Sequence, residues 1–232
     1  MPDAHASILD RPVGLRVATD RVDYGAGVAA MEAHVEAMHE GRAGELLWLV
    51  EHDHVYTAGT SASPDELLSA GGVPVVATGR GGRFTYHGPG QRVGYVMLDL
   101  KRRKPDVRVY VHDLEEWLIR ALARLGVTGE RRCGRVGIWV ETPAGEAKIA
   151  AIGVRVRRWV TYHGVALNVA PDLARFAGIV PCGLAGFGVT SLASLARPTD
   201  PAVVDAALLA AFAEVFGCSF RPAEVDFADR GG

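Results

Sequence analysis

"KIAAIGVRVRRWVTYHGVALNV", Lys148 to Val169, is the stretch that decides the fold class. Its dense isoleucine and valine content reads as strand, and the charged pair Arg157-Arg158 near its middle reads as the turn of a hairpin. Immediately upstream, "VGIWVE" (136–141) is a further strand. Strands that follow one another without an intervening helix argue for α+β with a mixed sheet, not a regular βαβ series. Working outward, "ELLWLVEH" (45–52) and "PVVAT" (74–78) read as short buried strands, and "GYVMLDL" (94–100) as another, running into the basic "KRRK" of 101–104.

Helices flank these strands. "VDYGAGVAAMEAHVEAMHEG" puts Val28, Met31, Val35 and Met38 on one helical face, with Gly41 as the stop. "VYVHDLEEWLIRALARLG" lines up Val111, Leu114, Leu118, Leu122 and Leu125 and ends at Gly126. "PAVVDAALLAAFAEVFG" (201–217) is a C-terminal helix with proline in its first turn. With no repeat or linker visible, the 232 residues are expected to form a single domain, 1–232.

The composition excludes several classes. Hydrophobic residues at 49% and charged residues at 22% fit a soluble protein with a core, and a net charge of −2 gives no global reason to expect nucleic-acid binding. No apolar run approaches membrane-spanning length, and "MPDAHASILD" lacks the basic-then-apolar pattern of a secretory signal. Three scattered cysteines, Cys133, Cys182 and Cys218, with no C-x-x-C, argue against a disulfide framework or zinc ribbon. A reducing cytoplasmic setting is expected.

The densest chemical signal is "GRGGRFTYHGPGQ", Gly79 to Gln91, with five glycines, two arginines and a histidine in thirteen positions. Glycines let a backbone approach a ligand, and Arg80 and Arg83 suit either phosphate pairing or loop ordering. It is neither a P-loop nor a dinucleotide fingerprint. The alternative, a plain surface connection, is a costly use of such residues between two apolar strands. Cys182 lies in "VPCGLAG" (180–186), where Pro181, Gly183 and Gly186 suit a tight turn. That turn can present a nucleophile or be an ordinary loop. Cys133, in the arginine-rich "GERRCGRVG", competes for the same role, and Cys218 reads as packed. His87 is a candidate base for Cys182. His52 and His54 form an H-x-H pair facing one side, but no further ligands point to a metal. His163 sits at a strand end, structural or substrate-facing. Lys148 opens its strand; it is an exposed strand start or a lysine desolvated at a pocket mouth, where the neutral amine is favoured.

In order along the chain, "RGGRFTYHGPGQ", "YVMLDLKRR", "KIAAIGVRVRRWVTYHGVALNV" and "VPCGLAG" resemble the octanoyl-[acyl-carrier-protein]–protein octanoyltransferases, the lipoate–protein ligase B family. The resemblance runs from about Leu46 to about Leu195. It implies a biotin/lipoate protein ligase-like α+β domain. It implies Cys182 as nucleophile and Lys148 as the proton carrier that favours the Cys182 thiolate. It implies an acyl pocket walled by Arg80, Gly81, Gly82, Arg83, Phe84, Thr85, Tyr86 and His87, by Ala151, Ile152 and Gly153, and by Gly164, Val165 and Ala166.

The implied reaction moves an octanoyl (or lipoyl) group from acyl carrier protein to Cys182. The group then passes to a lysine of lipoyl domains, those of 2-oxoacid dehydrogenases and the glycine cleavage H protein. No ATP or metal is implied, and a monomer is expected. "KRRK" and "RVRR" (155–158) are candidate docking patches for acidic partners, or solvated charge runs. Asp53-His54 replaces a proline usual in the family, and the "ETPAGEAK" turn before Lys148 is longer than usual. Rival readings are an ATP-dependent lipoate ligase, a cysteine thioesterase or amidase using Cys182 and His87, and a non-catalytic acyl- or lipoyl-binding module.

Overall fold

A computed structural model describes residues 12–180 and 187–224. The hairpin read from the sequence is its central feature. Strand β9 (Gly145–Arg157) and strand β10 (Val160–Asn168) pair antiparallel over eight positions, from Val160↔Arg157 to Leu167↔Ala150. The turn falls at Arg158-Trp159, one residue beyond the expected pair. Both residues have left-handed φ, 50° and 72°, as a two-residue hairpin turn requires, yet neither is the usual Asn or Gly. The carbonyl of Trp159 accepts from the Leu100 amide at 2.9 Å, which helps hold the strained turn.

Around this hairpin the large sheet adds β1 (Val13–Val17), β2 (Leu46–Val50), β6 (Gln91–Met97), β7 (Glu130–Arg132), β8 (Arg135–Thr142), β11 (Gly188–Val189) and β12 (Phe220–Pro222). Its order is β12-β1-β2-β6-β10-β9-β8-β7, with β11 alongside β9. The β12–β1, β1–β2 and β11–β9 pairs are parallel and the others antiparallel, so the sheet is mixed as expected. A second sheet of three strands, β4-β3-β5, joins β3 (Val55–Ala58), β4 (Val75–Ala77) and β5 (Phe84–His87). Here one expectation fails: β4 is an edge strand with Val75 exposed, not a buried one.

Helices cover both faces of the large sheet. Helix α1 (Tyr24–His39) is capped by Asp23 and lays Met31 and Val35 against Trp48, Tyr95 and Met97. Val28 and Met38 border that cluster and are only partly buried. On the other face, α2 (Val107–Arg124) and α3 (Pro201–Phe216) pack together over Leu47, Leu49, Ile149 and Ala150. Of the predicted α2 stripe, Leu114, Leu118, Leu122 and Leu125 are buried, joined by Tyr110, Trp117 and Ala121; Val111 lies at the margin. Trp117 donates its indole N–H to the Leu208 carbonyl at 2.8 Å, and Arg92 ties α3 to β6 through Asp205. Gly126 and Gly217, both left-handed, end α2 and α3. Among the described residues, no helix is long and apolar enough to cross a membrane.

Candidate active site

A cavity of about 440 Å³ opens on one face of the β6–β10–β9 strands. The loop leading into β5 supplies Arg80, Gly82 and Arg83, and β5 itself Phe84, Thr85 and His87; α1 adds Tyr24, and β6 adds Val93 and Tyr95. Across the hairpin, Gly164 pairs with Gly153, Val165 with Ile152, and Ala166 with Ala151. The two small-residue segments named from the sequence are therefore cross-strand neighbours. Strand alternation aims Ala151, Gly153, Gly164 and Ala166 at the cavity; Ile152 and Val165 also border it while packing with the core beneath α2 and α3. A side chain at Gly164 would collide with the Gly94 carbonyl, so glycine there permits close strand approach.

Alternation alone would put Lys148 on the same side as Ile152, inside that core. The structure avoids this with a β-bulge. Ile138 pairs with Ala150 but its neighbour Trp139 pairs with Lys148, so β9 carries one extra residue. Ile149 and Ala150 both enter the core cluster, and Lys148 emerges on the cavity side with Ala151 and Gly153. Lys148 is thus not an exposed strand start. It lies three residues inside β9, 7% exposed, because the hairpin tip is only Pro143-Ala144. Its Nζ donates to the Val136 carbonyl at 3.0 Å and sits 4.8 Å from the Trp139 ring centroid. Gly137, at φ 117°, makes room beside the lysine stem.

Cys182 lies outside the described residues. The chain on either side of it is anchored: the Val180 amide donates to the Glu66 carbonyl at 2.8 Å, and Val189 pairs directly with Lys148. Phe187 leans edge-on against Trp139, with the Arg135 guanidinium over both rings. The other cysteines are separate from the cavity. Cys133 is exposed in the β7–β8 turn, and its flanking arginines are taken up by Glu130, Glu141 and Glu146. Cys218 is buried, which pushes its thiol up to about 11.

The glycine-rich segment is organised by Arg80. This buried guanidinium donates to the carbonyl and hydroxyl of Thr57, each at 2.7 Å, and to the Gly81 carbonyl at 3.0 Å, so it orders the loop. Arg83 pairs with Glu66. Gly81 and Tyr86 do not line the cavity. Gly81 donates to the Val154 carbonyl, and Tyr86 turns into the small sheet against Phe176, bonded to His54. His52 instead bonds Val22 and Tyr95, so the H-x-H pair splits between different partners. Among the described residues there is no group of three or more His, Cys, Asp or Glu arranged to hold a metal.

His163 is not at a strand end. It lies within β10 at φ 59°, an unusual value for a non-glycine residue, and lines the cavity. Burial, with the charges of Arg80 and Arg155, pushes its imidazole down to about 3. His87 is likewise pushed down to about 3, by burial first and then by His52. Both rings are neutral at physiological pH.

The comparisons with known proteins agree with this geometry. Residues 23–213 match the lipoyl protein ligase A/B catalytic domain. An octanoyltransferase of Paramagnetospirillum magneticum is 61% identical over 210 residues, covering 90% of this chain and 99% of that protein. The chain belongs to the octanoyltransferase family. An octanoyltransferase of Chelativorans sp. is 54% identical across 94% of this chain and 93% of its own. Among solved structures, lipoate-protein ligase A bound with ATP superposes with a TM-score of 0.75 at 18% identity, over 92% of this chain and 90% of that one. The bipartite lipoate protein ligase of Thermoplasma acidophilum gives 0.70 at 18%, over 93% and 88%. The biotin/lipoate ligase-like fold expected from the sequence is the one observed.

In this octanoyltransferase-family chain, sequence reasoning missed Tyr24, Tyr95 and Val136 as cavity residues. Tyr24 follows the helix cap Asp23, and nothing in the local pattern distinguishes it from a packing residue. Gln91 ends the glycine-rich segment and Asn168 lies in the second strand of the hairpin, and their shared hydrogen bond spans 77 residues of sequence.

Proposed function

We propose that this chain moves an octanoyl group from acyl carrier protein through a Cys182 thioester to a lysine of lipoyl domains, without ATP or metal. The observation that carries the reading is Lys148. The bulge brings a buried amine to the face of a cavity with small apolar walls, beside the strand that follows Cys182. An apolar acyl chain suits those walls. Exchange of one thioester for another is close to isoenergetic, and amide formation from a thioester is downhill, so the scheme needs no nucleotide.

In the first step Lys148 accepts the Cys182 proton, the thiolate attacks the donor thioester, and the proton returns to the leaving pantetheine sulfur. In the second, the lysine amine bonds to the acyl carbon, the C–S bond breaks, and the amine's proton passes to Lys148. The lipoyl domains would be those of 2-oxoacid dehydrogenases and the glycine cleavage H protein, and the setting a reducing cytoplasm with the enzyme as a monomer. A hydrolase pairing Cys182 with His87 is less well supported, because a ring held neutral to about pH 3 is a weak base.

The test is transfer from octanoyl carrier protein to lipoyl domain with ATP omitted and a chelator present, with free octanoate assayed in parallel. Full transfer with little octanoate is expected. Dependence on ATP would favour a ligase, octanoate release a thioesterase, and neither product a binding module.

The docking surface also refines. In "KRRK" Arg103 is tucked against Glu45, while Lys101, Arg102 and Lys104 are exposed, Arg102 beside Asp99. The hairpin end presents a second group of exposed arginines. Arg158 is exposed in the turn, Arg157 is half-exposed beside Glu36, and Arg155 projects next to Gly79. Neutralising Arg155, Arg157 and Arg158 together is expected to raise the apparent KM for carrier protein several-fold and flatten its salt dependence, with kcat little changed. An unchanged KM and salt slope would remove these arginines from donor docking.

A further inference from the structure

Three buried side chains form a directional chain that ends in the cavity. Asn168 Nδ2 donates to the Thr190 carbonyl at 3.0 Å. A carbonyl can only accept, so the amide orientation is fixed and Asn168 Oδ1 faces Gln91, accepting from its Nε2 at 2.9 Å. Gln91 Nε2 also donates to the Tyr86 carbonyl at 3.2 Å. Gln91 Oε1 is left facing His87 Nδ1 at 2.6 Å, and an acceptor there requires the proton on Nδ1. Nε2, on the opposite edge of a ring that lines the cavity, carries a lone pair and has no partner among the described residues. The chain starts beside the lysine, because the Thr190 amide donates to the Lys148 carbonyl at 3.0 Å. Stacking on Tyr24, at 15° between rings, fixes the imidazole plane.

We propose that Gln91 and Asn168 are positioning residues that lock His87 in its Nδ1–H tautomer, so that Nε2 accepts one N–H of the primary amine attacking the acyl group. This rests on the acyl-transfer reading above. A neutral primary amine entering the cavity brings two N–H groups. One proton leaves to Lys148 as the amide forms, and the other needs an acceptor or pays the cost of an unpaired donor. A neutral imidazole supplies that acceptor without competing for the transferred proton. It would orient the nitrogen lone pair toward the acyl carbon. The thiolate step has no such N–H, so the network should matter for discharge of the acyl-enzyme more than for its formation.

The test uses the full chain with Gln91→Met. Imidazole nitrogen NMR should show the parent His87 as the single Nδ1–H tautomer and the variant as a mixture with Nε2–H. Acylation of Cys182 by octanoyl carrier protein, followed by intact mass, should change little, while discharge to lipoyl domain should slow about tenfold, the effect of one lost hydrogen bond in the transition state. His87→Gln, which keeps an acceptor oxygen, should discharge faster than His87→Phe, which does not; this pair decides the question if Gln91→Met fails to fold. An unmoved tautomer, equal slowing of both half-reactions, or equal rates for the two His87 variants would overturn the proposal. A parent never acylated by the donor would instead overturn the acyl-transfer reading and the role of Nε2 with it; the tautomer measurement would still decide the positioning part.

Discussion

Cys182→Ser is expected to abolish turnover, with no acyl-enzyme formed. In the parent, incubation with octanoyl carrier protein alone should leave one octanoyl group on Cys182, released by hydroxylamine and discharged on adding lipoyl domain. A serine hydroxyl is far less acidic than a thiol, so the thiolate on which the proposed exchange depends has no counterpart in the variant. The other two cysteines make internal controls. Cys133 sits in an exposed turn, and burial keeps the Cys218 thiol protonated up to about 11, so Cys133→Ser and Cys218→Ser should turn over nearly normally. Acyl label recovered on Cys133 would sink the assignment.

Lys148→Ala is expected to cost at least about a hundredfold in each half-reaction, because in the proposed scheme one proton carrier serves both. Lys148→Arg separates the two roles a lysine can play. It keeps the positive charge, but a guanidinium cannot give up its proton. It is also bulkier, and Gly137 leaves little spare room beside the Lys148 amine. No rescue is therefore expected. Near-parent activity in Lys148→Arg, measured separately for acylation and discharge, would reduce Lys148 to a fixed charge and send the search for the proton carrier elsewhere. Circular dichroism on both variants would distinguish these outcomes from a misfolded core.

Much of the fold was legible in the sequence because its signals are local. The valine-rich hairpin, the leucine stripe of α2 and the proline-started α3 each depend on periodicity within one segment. The strand 75–77 is not buried as expected because an apolar run does not say whether anything covers it, and here it is the edge of the small sheet with Val75 exposed. The cavity walls at 151–153 and 164–166 came from resemblance, and their pairing is a matter of register. The position of Lys148 inside β9 was hidden by a turn that looks long in sequence but closes at Pro143-Ala144. The tautomer chain from Asn168 to His87 could not be read at all, since it depends on which amide edge meets a distant backbone carbonyl.

The bulge at Ile149-Ala150 also governs how this region tolerates insertions and deletions. The Pro143-Ala144 tip lies on the far side of the lysine from it, so the hairpin end can lengthen or shorten while residues 148–153 keep their sides of the sheet. Loss of a single residue at the bulge has the opposite result: strict alternation returns, and the Lys148 side chain is turned into the core beneath α2 and α3. A change in length at the tip therefore leaves the cavity wall in place, and a deletion five residues further on inverts it.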